Sequence, residues 1–183
     1  MNAFPFPEVR LAHRVSYGET DTMKVLYYAE YLHLFERARS QYIRERGMSY
    51  AVAEERGLFL PVREASCRYR SPARYDDLLY IRAGISAWGR ASLTFVYELL
   101  NEDQTKLLAE GMTMHACVNN QARPIPVPGW FRALVGGEGV PPQEEEERRE
   151  SPPCPRPGVV SVRGLLTQRT SPPKDGQRGT KSR

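Results

Sequence analysis

The stretch Tyr17-Gly-Glu-Thr-Asp-Thr-Met-Lys-Val-Leu-Tyr-Tyr-Ala-Glu-Tyr31 sets a carboxylate, Asp21, in a loop just ahead of a long helical pattern. From Tyr31 onward apolar side chains recur at Leu34, Phe35, Ala38 and Tyr42, one stripe of a 3.6-residue period. Glu30, Arg37, Gln41, Arg44 and Glu45 lie mostly off that stripe. Gly47 supplies a stop, and Arg44 and Arg46 suit the negative end of the helix dipole. The pattern predicts a helix over residues 27–46, roughly 30 Å long, enough to cross a small domain.

Nearly everything apolar around that helix reads as strand. Ahead of it, residues 9–17 alternate, with Leu11, His13, Val15 and Tyr17 on one face. Behind it, Ser49 opens a short helical pattern closed by Gly57. Strand-like runs follow at 60–70, 79–87, 93–99 and 107–118. Ile81, Ala83, Ile85 and Ala87 continue one face from Leu79, with Gly89-Arg90 as a tight turn and Asn101–Gln104 as another. Gly111 marks an expected bulge. Residues 130–135 predict a brief closing helix. The expected fold class is α+β, an antiparallel sheet of about five strands wrapped on one long helix.

Composition sets the remaining bounds. With 183 residues, 40% of them apolar, the chain suits one domain with a real core. A net charge of +4, with no basic-aromatic patch, does not call for nucleic acid. Cys67, Cys117 and Cys154 have no CxxC spacing and read as free thiols of a reducing compartment. No apolar run is long enough to span a membrane, and the N-terminus lacks the pattern of a secretion signal. A cytoplasmic protein is the expectation. From residue 136 the composition shifts to Pro, Glu and Arg, with eight of the chain's 15 prolines. Residues 1–135 are therefore read as the domain and 136–183 as a disordered tail.

Tyr17-x-x-Thr-Asp21, then Val25-x-Tyr27-Tyr28-x-x-Tyr31 and Phe35-Glu-Arg-Ala-Arg39, resemble the 4-hydroxybenzoyl-CoA thioesterase-like group of hotdog-fold acyl-CoA thioesterases. Ser71-Pro-Ala-Arg-Tyr-Asp-Asp77 and Pro124-Ile-Pro126 resemble later segments of that group. The likeness covers about residues 8–134. Met23 and Lys24 stand where many relatives have glycines, and Tyr28 where many have histidine. The resemblance implies hydrolysis of an acyl-CoA thioester to an acid and CoA, without metal or redox cofactor. It also implies a homodimer or homotetramer with each site at a subunit boundary.

Thioester hydrolysis needs a nucleophile or base and a stabiliser for the developing oxyanion. The resemblance gives the first role to Asp21, attacking directly or through water, and the second to the backbone N–H of Tyr28 at the helix N-terminus. Read from local pattern alone, Asp21 is first a loop or capping carboxylate, as most Asp residues before helices are. Glu19 is the neighbouring candidate base, and its simpler reading is a solvated loop residue. Glu36 and Arg39 read as a helical ion pair. His13, His33 and His115 have no metal-ligand spacing and read as structural. No Gly-x-Ser-x-Gly elbow and no phosphate loop is present. The CoA phosphates would therefore have to meet side chains, with Arg74, Arg90 and Ser92 as candidates. The rival expectation is a non-catalytic hotdog protein that binds acyl-CoA or acyl carrier protein, or serves as a scaffold.

Overall fold

The computed structural model describes residues 3–136, so the expected tail of residues 136–183 lies outside the described residues except for Gly136. Five strands, β1 (Glu8–Arg14), β2 (Val62–Tyr69), β3 (Leu78–Trp88), β4 (Ser92–Leu100) and β5 (Leu107–Ala116), form one sheet. Its order is β1-β3-β4-β5-β2, with every neighbouring pair antiparallel. Helix α1 (Glu30–Glu45) packs across one face. Two shorter helices, α2 (Tyr50–Glu55) and α3 (Gly129–Gly136), follow at its end and at the end of the sheet. This is the α+β arrangement expected of the hotdog fold.

The helical stripe reads correctly. Tyr31, Leu34, Phe35, Ala38, Tyr42 and Ile43 are the buried residues of α1. They meet Leu79, Ile81 and Ala83 of β3 and Leu93, Phe95, Tyr97 and Leu99 of β4, all buried. Phe35 stacks on Tyr97 at 4.5 Å, and Tyr42 meets Phe95 edge-on at 5.4 Å. Gly47 (φ +85) and Gly57 (φ +82) end the first two helices in the left-handed region that favours glycine. Ser49 caps α2 by accepting the Val52 N–H.

Several local expectations fail, each for a physical reason. The helix begins at Glu30 rather than residue 27, because Tyr27 and Tyr28 belong to the loop that carries Asp21. Strand β1 ends at Arg14, and Tyr17 turns out into solvent in a 3-10 turn, Tyr17–Glu19. In β3 the alternation breaks at Ser86. Ile85 pairs with Phe95 but Ala87 pairs with Thr94, so the extra residue moves the inward position from Ala87 to Trp88. Gly111 is not a bulge; it pairs regularly with Cys67 and Tyr97. Glu36 and Arg39 form no ion pair among the described residues. Glu36 stays exposed while the Arg39 Nε–H donates to the Tyr50 hydroxyl at 2.7 Å.

His115 is structural, as expected. Its Nδ1–H donates to the Leu60 carbonyl at 2.9 Å, which leaves Nε2 to accept from the Thr113 hydroxyl at 2.8 Å. Thr113 in turn accepts from the Tyr97 hydroxyl at 2.6 Å. Every polar atom of this buried chain is thus satisfied.

Candidate active site

The 15 residues between β1 and α1 fold into a small hairpin with Asp21 at its tip. The Asp21 N–H donates to the Val25 carbonyl (2.9 Å), and the Tyr27 N–H donates to the Glu19 carbonyl (2.8 Å) one step below. The Leu26 N–H reaches out to the Ala73 carbonyl (2.8 Å), which ties the hairpin to the segment ahead of β3. Lys24 holds φ +61, the left-handed conformation at which glycine is ordinary. The turn is therefore made without the glycines that the sequence lacks.

Asp21 is not a helix cap, since the N-cap position of α1 is Ala29. Its Oδ1 accepts the Met23 N–H at 2.8 Å and, more distantly, the Val25 N–H at 3.5 Å. Oδ2 has no hydrogen-bond partner among the described residues. One carboxylate oxygen thus shapes the loop, and the other is unengaged among the described residues. Ala29 offers no side-chain oxygen to the first turn of α1, so no side chain caps it, and the Glu30 and Leu32 N–H groups turn back to the Tyr27 and Ala29 carbonyls. Among the described residues, the N–H groups of Tyr28 and Ala29 donate to no acceptor.

Asp21 and Tyr28 line one cavity of about 350 Å³, with Met23, Tyr31, Tyr69 and Ser71 among its other walls. The Tyr69 hydroxyl donates to the Tyr28 carbonyl at 2.9 Å, fixing the plane of the peptide that follows Tyr28. Tyr69 also meets Tyr31 edge-on at 4.9 Å. Partial burial, then Cys67, push the Tyr69 phenol up to about 12, so it remains a donor at neutral pH. Nothing local in the sequence marks Tyr69, because β2 brings it from 41 positions beyond Tyr28.

The weaker candidates divide. Arg74 lies beside the Asp21 loop, its backbone bridged to Val25 and its N–H donating to Asp77 Oδ2 at 2.7 Å. Arg90 and Ser92 belong to the β3–β4 turn at the other end of the sheet. Ten residue steps along β3 separate the two ends, about 33 Å, so one chain does not bring Arg90 or Ser92 to Asp21. His33 is exposed and paired with Glu30 at 3.0 Å. Among the described residues no three His, Cys, Asp or Glu side chains gather as a metal site, and no helix is long and apolar enough to cross a membrane.

Residues 15–135 match the model of the thioesterase-like superfamily. The chain belongs to that family. It is 33% identical over 134 residues to the acyl-CoA thioesterase YbgC of Haemophilus influenzae, covering 72% of this chain and 93% of that protein. It is 37% identical over 107 residues to the acyl-CoA thioester hydrolase YbgC of Escherichia coli, covering 58% of this chain and 78% of the relative. Among solved structures, the DHNA-CoA thioesterase of Staphylococcus aureus superposes with a TM-score of 0.65 at 28% identity, covering 70% of this chain and 89% of that one. Thioesterase relatives therefore share the segment that carries Asp21, Tyr28 and Tyr69.

Proposed function

We propose that this acyl-CoA thioesterase works through Asp21, as nucleophile or as the base that activates water, with the Tyr28 N–H receiving the developing oxyanion. The observation that carries this reading is the pairing, on the wall of one cavity, of Asp21 with the Tyr28 amide, one carboxylate oxygen and the amide both unengaged among the described residues. A thioester carbonyl directed at that amide is polarised before any bond is made. Attack at its carbon expels the CoA thiolate. Water completes the reaction either by attacking first, with its proton taken by Asp21, or by hydrolysing an Asp21 acyl anhydride. Both routes end in the free acid and CoA. Asp21→Asn keeps the size and the loop hydrogen bonds and removes the charge. Against a panel of acyl-CoA substrates it should lose at least about a hundredfold in kcat; near-normal turnover of a good substrate overturns the assignment.

A homodimer, or a pair of dimers, is the assembly this site calls for. Strand β2 is a sheet edge, exposed at seven of its eight positions, and an open edge is a template for a second copy. Two-fold antiparallel pairing of β2 with its copy inverts the partner's sheet. The partner's β3–β4 turn, with Arg90 and Ser92, then stands at the same end as Asp21. That arrangement makes them contacts for CoA phosphates in the other copy's site, with Arg74 contributed from the same chain. A cytoplasmic setting suits the free thiols Cys67 and Cys117. We read residues 136–183 as separable from the catalytic domain.

A further inference from the structure

Glu19, expected to be a solvated loop residue, is instead the junction of three elements. Its Oε2 accepts the Ser16 N–H at 2.8 Å and meets His13 Nε2, on β1, at 2.9 Å. Its carbonyl accepts the Tyr27 N–H at 2.8 Å. Glu19 and Tyr27 therefore form the base of the hairpin whose tip is Asp21, and Tyr28 is the next residue along. On the far side of the ring, Arg37 Nη1 of α1 lies 3.1 Å from His13 Nδ1.

Guanidinium can only donate, so Nδ1 must accept and the imidazole proton sits on Nε2, pointed at Glu19. The order Arg37→His13→Glu19 is fixed by donor chemistry alone. The His13 side chain is 9% exposed, so this link is shielded where a surface pair would be loosened by solvent. Burial alone would raise the Glu19 carboxyl, but the Ser16 amide and His13 outweigh it and hold the group below its ordinary value. Glu19 stays an anion and keeps accepting.

We propose that His13 and Glu19 are positioning residues of the thioesterase. They lock the base of the Asp21 hairpin to β1 and, through Arg37, to α1, and so set the spacing between the Asp21 carboxylate and the Tyr28 N–H. The inference rests on the reading of Asp21 and Tyr28 given above. Neither side chain lines the cavity that holds Asp21 and Tyr28. Their effect falls on kcat, because ground-state binding of the CoA portion does not depend on the last ångström between carboxylate and amide.

The experiment compares His13→Ala, His13→Gln, Glu19→Ala, the His13→Ala/Glu19→Ala double variant and Asp21→Asn by steady-state kinetics on one acyl-CoA, with thermal melts of each. A displacement of about 1 Å costs on the order of 10²-fold, so each alanine variant should lose roughly ten- to a hundredfold in kcat with KM within about threefold. Gln at 13 places an N–H close to the position of His Nε2 and should recover most of that loss. The double variant should be no slower than the worse single one, since both break the same link. Alanine variants that turn over normally while Asp21→Asn is inactive overturn the positioning role and leave the Asp21 reading standing. A His13→Gln variant as slow as His13→Ala also overturns it, because the donated hydrogen bond would then not be the cause. Normal turnover by Asp21→Asn removes the reading beneath the proposal.

Discussion

Gly111 of β5 lies directly beneath Phe35 of α1: a Cβ built at Gly111 would stand 2.4 Å from Phe35 Cε2 and 2.5 Å from the Ser66 carbonyl oxygen. Phe35 has little freedom to tilt away, because its ring is stacked on Tyr97. The edge strand β2, which carries Ser66, is the softer of the two neighbours. Gly111→Ala should therefore destabilise the domain by about 1–3 kcal/mol, the usual cost of overpacking. A lowered urea midpoint with an unchanged slope would show it. An unchanged midpoint would mean that α1 rides higher on the sheet than described.

That contact explains what could and could not be read from sequence. The stripe of α1 was legible because a helix repeats its buried face locally, and Tyr31, Leu34, Phe35, Ala38 and Tyr42 are all buried. The reason for Gly111 was not legible, since it depends on how closely Phe35, 76 positions earlier on α1, approaches the sheet. The inserted residue at Ser86 was hidden for a similar cause. Ala87 and Trp88 are both apolar, and only pairing with Thr94 and Leu93 decides which turns inward. At the site, Asp21 announced itself as a carboxylate ahead of a helix. Glu19 did not, because its partners His13 and Tyr27 flank it on separate elements.

The His115 ring should remain neutral well into acid. Burial first, then the Arg39 charge, push it down to about 4 from an ordinary 6.5. The unfolded chain thus takes up the proton before the folded one does. This contribution to stability is complete above pH 6.5 and is lost as pH falls toward 4, about 3 kcal/mol in all. Urea unfolding between pH 7 and 4.5 should show that loss on top of any from carboxylates. The His115 Cε1–H resonance should keep its neutral position down to pH 5. A ring that titrates near 6.5 would refute the buried hydrogen-bond chain through Thr113 and Tyr97.

Helix α3 belongs to the core, so the place of truncation matters. Phe131 and Val135 are fully buried, and the Tyr42 hydroxyl donates to the Val135 carbonyl at 2.8 Å. A chain ended at Gly136 should fold and turn over substrate like the full chain. A chain ended at Pro128 exposes both pockets and leaves the Tyr42 hydroxyl without its acceptor. The burial of two such side chains is worth roughly 3–6 kcal/mol, comparable to the whole stability of many domains. Thermal melts of the two truncations should separate sharply. If ending at Gly136 also abolishes cooperative unfolding, the domain boundary at 135–136 is misplaced.

The proposed sharing of each site between two copies predicts that two crippled variants repair each other. Asp21→Asn removes the carboxylate proposed to react from its own copy. Arg90→Ala removes a phosphate contact that, in the two-fold arrangement, serves the other copy. The loss of one charged hydrogen bond should raise KM by about tenfold or more. In a mixed dimer one site then carries both defects and the other carries neither. When equal amounts are unfolded together and refolded, random pairing makes half the dimers mixed, so about a quarter of all sites are wild type. Turnover at low acyl-CoA should rise to about that fraction, well above either variant alone. If the site were built within one chain, each copy would keep its own defect and mixing would give only the average of the two. Sedimentation equilibrium at micromolar concentration supplies the companion measurement: a monomer that hydrolyses acyl-CoA cannot be reconciled with Arg90 acting from about 33 Å away.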